Sequence, residues 1–239
     1  MKKYLLLLTF LSVIGNAQIV RKYSNEFLNI GAGARGLAMG GAVISNQNDV
    51  YAPMWNPAGL TEVESDWQGA AMHAEYFESI AKYDYISFAK ALDSKDGVLG
   101  ISIVRLGVDN ILNTTQMIDS EGNIDYDKIS KFSTSDYAGI ISYAFRPGGN
   151  QKLSVGINAK IVYRNIGKFA NGFGFGFDAG AIYRADSGYQ FGAMLRDATT
   201  TVNFWSINQK ELSAVVNGEE FNPAPKDKME ITMPKLNLG

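Results

Sequence analysis

The stretch LSVGINAKIVYR, residues 153–164, decides the fold because apolar and polar side chains alternate along it. The odd-numbered positions carry Leu, Val, Ile, Ala, Ile and Tyr, whereas Ser154, Asn158, Lys160 and Arg164 stand between them. A period of two is typical of a β-strand whose two faces lie in different environments. The stretch therefore predicts a strand with one apolar and one polar face.

The same period appears in many other parts of the chain. In FGFGFDAGAIYR, residues 173–184, three phenylalanines alternate with glycines and Asp178. Similar patterns predict further strands at 67–76, 84–92, 97–106, 136–146, 189–198 and 229–238. The chain is therefore expected to contain about eight strands.

Strand length and loop length together favour a membrane barrel. Many of the predicted strands approach the 9 to 11 residues, roughly, that a tilted strand needs to cross a bilayer, whereas strands of soluble proteins average about 5 or 6. Short polar connections at 93–97, 147–152 and 185–188 alternate with mostly longer ones, notably 107–135 and 199–228. Outer-membrane barrels have short periplasmic turns and long external loops. We expect an all-β fold, a transmembrane antiparallel outer-membrane β-barrel.

Aromatic residues near the predicted strand ends agree with this fold, because amphipathic rings suit the level of the lipid headgroups. They are Tyr76, Phe77, Tyr83, Tyr85, Tyr137, Tyr163, Tyr183 and Tyr189. Arg105 shares the apolar face of its strand with Ile101 and Ile103. We expect its long side chain to extend toward the strand end.

The first residues, MKKYLLLLTFLSVIGNAQ, are typical of a secretory signal peptide. Two lysines precede an apolar run, and small residues end at Ala17, after which we expect cleavage. The run is too short for a spanning helix; the alternative is a buried N-terminal strand or helix. The chain contains no cysteine, which excludes disulfides, thiol nucleophiles, thiolate metal sites and a lipid-modified cysteine. We expect export to the cell outer membrane.

The stretch IGAGARGLAMGGA, residues 30–42, contains the spacing G-x-G-x-x-G of a dinucleotide-binding loop at Gly31, Gly33 and Gly36. Pro53 and Pro57 interrupt the region in which the helix and second strand of such a unit would lie. The chain is mildly acidic, with 22 Lys and Arg against 24 Asp and Glu, and has no basic stripe. We therefore expect neither a nucleotide cofactor nor a nucleic-acid partner.

Residues 27–60, FLNIGAGARGLAMGGAVISNQNDVYAPMWNPAGL, resemble the N-terminal segment of the PorV/PorQ family, within the superfamily of FadL-like barrels that transport long-chain fatty acids. The matching elements are Gly33-Ala34-Arg35, Met39-Gly40-Gly41-Ala42, the region of Asp49, and Trp55-Asn56-Pro57-Ala58-Gly59-Leu60. The resemblance implies a small plug, or hatch, inside a barrel of about fourteen strands.

Three parts of the chain follow from these patterns. Residues 1–17 are predicted to be the signal peptide, 18–66 the plug segment and 67–239 the barrel. With about eight predicted strands, and an end at PKLNLG inside a predicted strand, the barrel is expected to be truncated.

The resemblance also implies a function. Such a protein is a non-enzymatic accessory or docking component of type IX protein secretion, in contact with outer-membrane lipid and with secretion-system proteins or secreted cargo. The alternative is a FadL-like transporter of long-chain fatty acids or other hydrophobic compounds across the outer membrane.

Catalytic and metal chemistry find little support in the sequence. His73 is the only histidine, and we expect it to face the lumen in a structural role. The loop DSEGNIDYD, residues 119–127, spaces acidic side chains like a calcium loop, but Ile124 and Ser130 occupy the positions of the required glycine and glutamate. A hydrated external loop is favoured over a calcium site.

Five charged residues are expected to point into the lumen from neighbouring strands: Lys160, Arg164, Asp178, Arg184 and Arg196. We favour a structural role, in which they pair with one another and with the plug. A substrate path is the alternative.

Overall fold

The computed structural model describes residues 24–92, 97–119, 121–212, 214–216, 219–221 and 228–239. The predicted signal peptide, and residues 93–96 of the predicted turn at 93–97, lie outside these residues. The described strands are β1 (Trp67–Tyr76), β2 (Ala81–Ala91), β3 (Gly97–Asn113), β4 (Ser130–Phe145), β5 (Leu153–Ile166), β6 (Ala170–Arg184), β7 (Gln190–Arg196), β8 (Thr201–Ile207), β9 (Ala214–Val216), β10 (Glu219–Phe221), β11 (Met229–Thr232) and β12 (Lys235–Leu238).

Ten of these strands form one antiparallel sheet. Strands β1 to β6 each pair with the next strand along the chain, and β6 then pairs with both β7 and β8. β7 and β8 lie end to end along β6, and residues 197–200 separate them. In this interruption Asp197 and Thr200 have φ of 54° and 64°. β12 and β11 pair with these halves, and β9 and β10 form a separate hairpin.

Strands are present in all the regions predicted from the period of two, and the mostly antiparallel all-β fold is confirmed. The predicted single strand 229–238 is divided into β11 and β12, which pair with different strands. β1 has the predicted bounds, whereas β3 and β4 extend further, to Asn113 and from Ser130. β8 lies inside the predicted loop 199–228 and was missed. Within the described residues, β1 pairs only with β2, and β12 only with β7.

The two ends of the sheet were expected to differ in the length of their connections, and only two long connections produce this difference. Residues 114–129 and 208–228 are long, but at the same end of the sheet residues 77–80 and 167–169 form tight turns. The predicted long connections therefore alternate with short ones at that end. At the opposite end, residues 146–152 and 185–189 are short, as expected.

The N-terminal segment, residues 24–66, contains only short helical turns: Glu26–Asn29, Ala34–Ala38, Ala52–Trp55 and Pro57–Glu62. Asn56 separates the last two, and its side chain accepts a hydrogen bond from the amide of Ala58. No helix among the described residues is both long and apolar enough to cross a membrane.

This segment packs against one face of the sheet, which we call the covered face; the opposite side is the exposed face. One core cluster joins Phe27, Met54 and Trp55 to Tyr83 and Tyr85 of β2. A second cluster joins residues of the segment to β2, β3 and β4; it contains Val50, Ala52, Leu60, Ala89, Val98 and Ala144. The segment is therefore part of the hydrophobic core.

Candidate functional site

Trp55 occupies the centre of the glycine-rich stretch. A Cβ added to Gly36 would lie 2.6 Å from the indole nitrogen, and one added to Gly31 would overlap the far edge of the ring. The indole nitrogen also donates a 2.7 Å hydrogen bond to the carbonyl of Ala32. Close approach of a backbone to a large ring requires glycine. Two of the three glycines in the G-x-G-x-x-G spacing therefore pack around a tryptophan.

The third glycine of the spacing, Gly33, has φ of 85° and meets the ring of Tyr51, because an added Cβ would lie 2.9 Å from its Cγ. The ring of Tyr51 stacks on Tyr85 with centroids 5.4 Å apart. Burial, followed by the nearby carboxylate of Asp49, raises the pKa of Tyr51. The Asp49 carboxylate also accepts a 2.9 Å hydrogen bond from the Tyr51 amide, which fixes the turn between them.

The Asn56-Pro57-Ala58 part of the motif presses on two strand glycines. The backbone of Pro57 and Ala58 occupies the space that a side chain at Gly156 would fill, and Asn56 does the same at Gly180. Asn56 is fully buried and donates a 2.8 Å hydrogen bond to the carbonyl of Ile44. Because β5 and β6 have glycine at these positions, the N-terminal segment can lie directly against the backbone of both strands.

Not every motif residue is packed in this way. Arg35 hydrogen-bonds Asn48 on the surface, and Met39 and Gly40 are also exposed. Nothing lies within 4 Å of a Cβ added to Gly40, although its φ of 60° favours glycine. Of the remaining motif glycines, Gly41 touches Trp55, and Gly59 leaves no room beside the carbonyl of Gln47.

The five charged residues predicted to face the interior all lie on the covered face, in two groups and two separate arginine contacts. In the first group, the ammonium of Lys160 lies 2.6 Å from both Asp178 and Asp197. All three are buried, with 3% of Lys160 exposed. Asn158 donates one hydrogen bond to Asp178 and another, of 2.9 Å, to the carbonyl of Pro53. The ion group therefore connects β5 and β6 with the bulge at residue 197 and the N-terminal segment.

The second group surrounds Glu62 near the end of the N-terminal segment. Arg184 and Arg146 approach the same carboxylate oxygen at 2.7 and 2.6 Å. Arg146 also donates to the carbonyl of Thr61, whose hydroxyl lies 2.7 Å from the hydroxyl of Ser154. Two arginines from the sheet thus hold the last turn of the segment.

The remaining two of the five residues, Arg164 and Arg196, make separate contacts. Arg196 donates hydrogen bonds of 3.1 and 2.6 Å to the carbonyls of Leu28 and Met54, which ties β7 to two turns of the N-terminal segment. Arg164 forms a two-pronged contact with Asp136, at 3.0 and 3.2 Å, and lies over the ring of Trp205. The contacts with the N-terminal segment are those of a structural role.

The interior leaves little space beside these charges. The cavity beside Lys160, Asp178 and Arg196 has a volume of about 10 Å³. That volume holds about one water molecule.

The exposed face is apolar over most of its height. Antiparallel register aligns its side chains in rows that run across the sheet. One such row contains Ala71, Ile86, Ile103, Gly139, Ile161, Phe175, Val202 and Ile231. Another contains Gly69, Phe88, Ile101, Ile141, Ala159 and Phe177. Rows closer to the 146–152 end remain apolar except for Lys90, next to Trp67.

The character of the exposed face changes toward the end of the sheet that carries the long loops. A mixed row contains His73, Asp84, Arg105, Tyr137, Tyr163, Phe173, Phe204 and Met229. The next row is polar: Glu75, Lys82, Gly107, Ser135, Asn165, Asn171 and Ser206. Tyrosines thus stand where the apolar surface ends.

Two expectations about this surface are wrong. His73 lies on the exposed face beside Asp84, not in the interior, because it shares its side of β1 with Trp67 and Glu75. Tyr83 and Tyr85 are fully buried against the N-terminal segment. The sequence analysis assigned His73 to the wrong side of its strand, and it assigned Tyr83 and Tyr85 to a strand end without showing which side they occupy.

Within the acidic loop, the carboxylate of Asp119 is hydrogen-bonded by groups of the loop itself. Asp119 accepts hydrogen bonds of 2.9 Å from the amides of Glu121 and Asn123, and the contacts from Asn123 lower its pKa. In the part of the chain that the structure describes, no group of three or more His, Asp and Glu side chains is arranged to hold a metal ion.

Several residues that hold the N-terminal segment were missed in the sequence. In the sequence, Arg146 and Glu62 resemble ordinary turn residues. Asp197 lies in the interruption between β7 and β8, which no sequence pattern predicted. Gly156 and Gly180 carried a usable signal, because a glycine on the polar side of a strand marks close approach of another backbone. Comparison of the chain with models of known protein families gives no match, and comparison with curated proteins gives none either.

Proposed function

We propose that this chain is a non-enzymatic outer-membrane β-barrel protein that serves as an accessory or docking component of type IX secretion. In this proposal the N-terminal segment is the plug of the barrel. The resemblance of residues 27–60 to PorV/PorQ proteins supports the role in secretion. The apolar exposed face of the sheet supports the location in a membrane.

The observation that carries the proposal is the inverted distribution of polar residues between the two faces. Ser87, Ser102, Asn158 and Lys160 are buried on the covered face, whereas the exposed face carries rows of Ile and Phe. A soluble sheet places its polar residues outside. Membrane barrels have a polar interior and an apolar exterior.

The height of the apolar surface fits a bilayer. On β5 it extends from Leu153 to Tyr163, ten residue steps. At about 3.4 Å per residue this is roughly 34 Å along the strand, or about 26 Å at a tilt of about 40°. The apolar band of outer-membrane barrels is about 25 Å tall. The resemblance extends the proposal to a closed barrel of about fourteen strands.

Docking is favoured over transport because the plug is tightly fastened. The Glu62 group, the Arg196 contacts and the buried Asn56 connect it to β4, β5, β6 and β7. Transport through the interior would have to break these contacts, whereas docking on the outer surface leaves them intact.

The experiment is a deletion strain in which secreted proteins and growth on long-chain fatty acids are both measured. The strain is complemented with the natural chain and with a plug-locked variant, Thr61→Cys with Ser154→Cys. These two positions are chosen for a disulfide between plug and β5 because their hydroxyl oxygens lie 2.7 Å apart and the chain has no other cysteine. Each single cysteine variant serves as the control.

The proposal expects loss of protein secretion in the deletion strain, full rescue by the locked variant and unchanged growth on fatty acids. Normal secretion, together with a fatty-acid growth defect that only the unlocked chains rescue, would instead establish hydrophobic transport.

A further inference from the structure

The long connection between β3 and β4 contains a small ordered hairpin. Ile118 and Ile124 are antiparallel bridge partners in it. On one side of this pair the amide of Asp125 donates a 2.8 Å hydrogen bond to the carbonyl of Met117, and a 3.1 Å backbone hydrogen bond closes the pair on its other side. Residues paired in this way have their side chains next to each other on one side of the hairpin.

This hairpin presents its apolar side to the surroundings. Ile118 and Ile124 are 49% and 55% exposed, and Tyr126, just after the hairpin, is 70% exposed. Met117 and Asp119, which lie on the other side of the hairpin, are half-buried. We call Ile118, Ile124 and Tyr126 the isoleucine patch. Apolar side chains held together on the outside of a loop, with polar residues around them, are typical of an interaction site.

The loop around the isoleucine patch is acidic. Residues 114–129 contain four carboxylates and one lysine, a net charge of −3. Asp119 and Asp125 accept hydrogen bonds from backbone amides of the loop. Glu121 and Asp127 are exposed and form no ion pair among the described residues, and Glu121 has only a 3.5 Å contact with a side-chain amide. These two carboxylates can therefore bind a cation of a partner.

The isoleucine patch lies beyond the level of lipid headgroups in the proposed membrane location. The apolar rows have ended at Gly107, over which the guanidinium of Arg105 lies, so the expected extension of Arg105 toward the strand end is confirmed. β3 continues for six residue steps, to Asn113. At about 3.4 Å per residue and a tilt of about 40°, these steps add about 16 Å of height. The headgroup region is only about 5–8 Å thick on each side of a bilayer, so lipid is not the occupant.

Charge decides between the remaining occupants. A second copy of the chain would bring two loops of net charge −3 together, and like charges that face each other oppose association. A segment that carries lysine or arginine among aliphatic side chains complements both the carboxylates and the apolar patch.

We propose that the isoleucine patch docks a positively charged, aliphatic segment of a partner protein. The aliphatic side chains of this segment cover Ile118, Ile124 and Tyr126, and its cationic groups bind Glu121 and Asp127. The inference rests on the proposed function, because it names the surface on which docking takes place.

The experiment measures binding of labelled peptides to the purified chain in phosphatidylcholine nanodiscs by fluorescence anisotropy. The first peptide, Lys-Val-Lys-Ile-Lys-Val-Lys, has the proposed chemistry. A second peptide has glutamate in place of each lysine, and a third has serine in place of each valine and isoleucine. Empty nanodiscs measure the binding of each peptide to lipid. The first peptide is expected to bind at least about tenfold more tightly than the other two, because only it matches both the charge and the apolar surface.

Identical substitutions at opposite ends of the sheet test the patch itself. Tyr126→Ser and Asp127→Lys are each expected to weaken binding of the first peptide about fivefold, and Asp127→Lys is also expected to strengthen binding of the glutamate peptide. Tyr189→Ser and Asp186→Lys are the matched controls in the opposite turn, where Tyr189 is also 70% exposed and the Asp186 side chain is 83% exposed. Both controls are expected to leave binding unchanged.

Expression of the same variants in the deletion strain separates this inference from the proposed function. Tyr126→Ser is expected to reduce protein secretion, whereas Tyr189→Ser restores it. Equal binding of the three peptides, or full rescue by both Tyr126→Ser and Asp127→Lys in a strain that lost secretion, overturns the docking patch alone. Normal secretion by the deletion strain overturns the proposed function, and the preference among the peptides then still decides the chemistry of the patch.

Discussion

At the scale of the residue, glycine positions decide how closely the N-terminal segment approaches the sheet. Gly156 and Gly139 both lie inside strands, but Gly156 faces the backbone of Pro57 while nothing lies within 4 Å of a Cβ at Gly139. Glycine therefore has a packing role at position 156 on the covered face and none at position 139 on the exposed face.

This difference gives a matched pair of substitutions. Gly156→Ala is expected to lower the free energy of unfolding by about 1–3 kcal/mol through overpacking. Gly139→Ala is expected to change it by less than about 0.5 kcal/mol. Urea unfolding, followed by tryptophan fluorescence, measures both, and equal effects would contradict the close contact at Gly156.

The buried ion group provides a second residue-scale prediction. Lys160→Met leaves Asp178 and Asp197 without their shared cation, and such uncompensated buried charge costs about 3–5 kcal/mol. Lys152→Met removes only a surface partner of Asp186, which is worth at most about 1 kcal/mol. The same unfolding experiment compares the two; similar small losses would show that the Lys160 group does not stabilise the fold.

The sequence analysis placed the five charged residues on one face of the sheet but did not show which partners they bind. Alternation along β5 and β6 assigns Lys160 and Asp178 to one face, because side-chain direction depends only on the local period. The partners of Arg184 and Arg196 lie more than a hundred residues away, on irregular turns of the N-terminal segment. No period relates such turns to a strand, so these contacts required the tertiary structure.

At the scale of the element, the sheet is an inverted amphipathic surface whose apolar rows cross every strand. The period of two predicted these strands well where they cross the apolar rows, because apolar and polar side chains alternate there. It underestimated β3 and β4, whose ends beyond the apolar rows carry polar residues on both sides. It missed β8 because the bulge at residues 197–200 interrupts the alternation. It also misplaced His73, since a charged cluster replaces apolar residues on the exposed side of β1 to β3.

An arginine placed on the exposed face tests the apolar rows directly. Ile161→Arg lies in the middle of the band and is expected to impair assembly into the outer membrane, at a cost of about 2–4 kcal/mol. Asn171→Arg lies on the same face in the polar row, where the cost falls to about 0–1 kcal/mol. The fraction of each variant recovered in isolated outer membranes is the measurement, and equal recovery would exclude a lipid-facing band.

At the scale of the whole molecule, the long connections at one end imply an orientation. Because the chain has no cysteine, single cysteine variants report accessibility without background. A bulky thiol reagent added to intact cells is expected to label Glu121→Cys in the long connection and not Asn150→Cys in the opposite turn. Position 150 is chosen for labelling and not the neighbouring Gly149, because the φ of 69° at Gly149 disfavours cysteine. Labelling of Asn150→Cys without outer-membrane permeabilisation would reverse the orientation.

The most direct test of the central claim, that the exposed face lies in a bilayer, is a depth profile along β5. Spin labels on single cysteines at positions 153, 155, 157, 159, 161, 163 and 165 all lie on the exposed face. Collision with oxygen, which concentrates in lipid, is compared with collision with a water-soluble nickel chelate. The account predicts the highest ratio of oxygen to nickel collisions near Ala159 and a steady fall toward Leu153 and Asn165. A low and uniform ratio at all seven positions would contradict it.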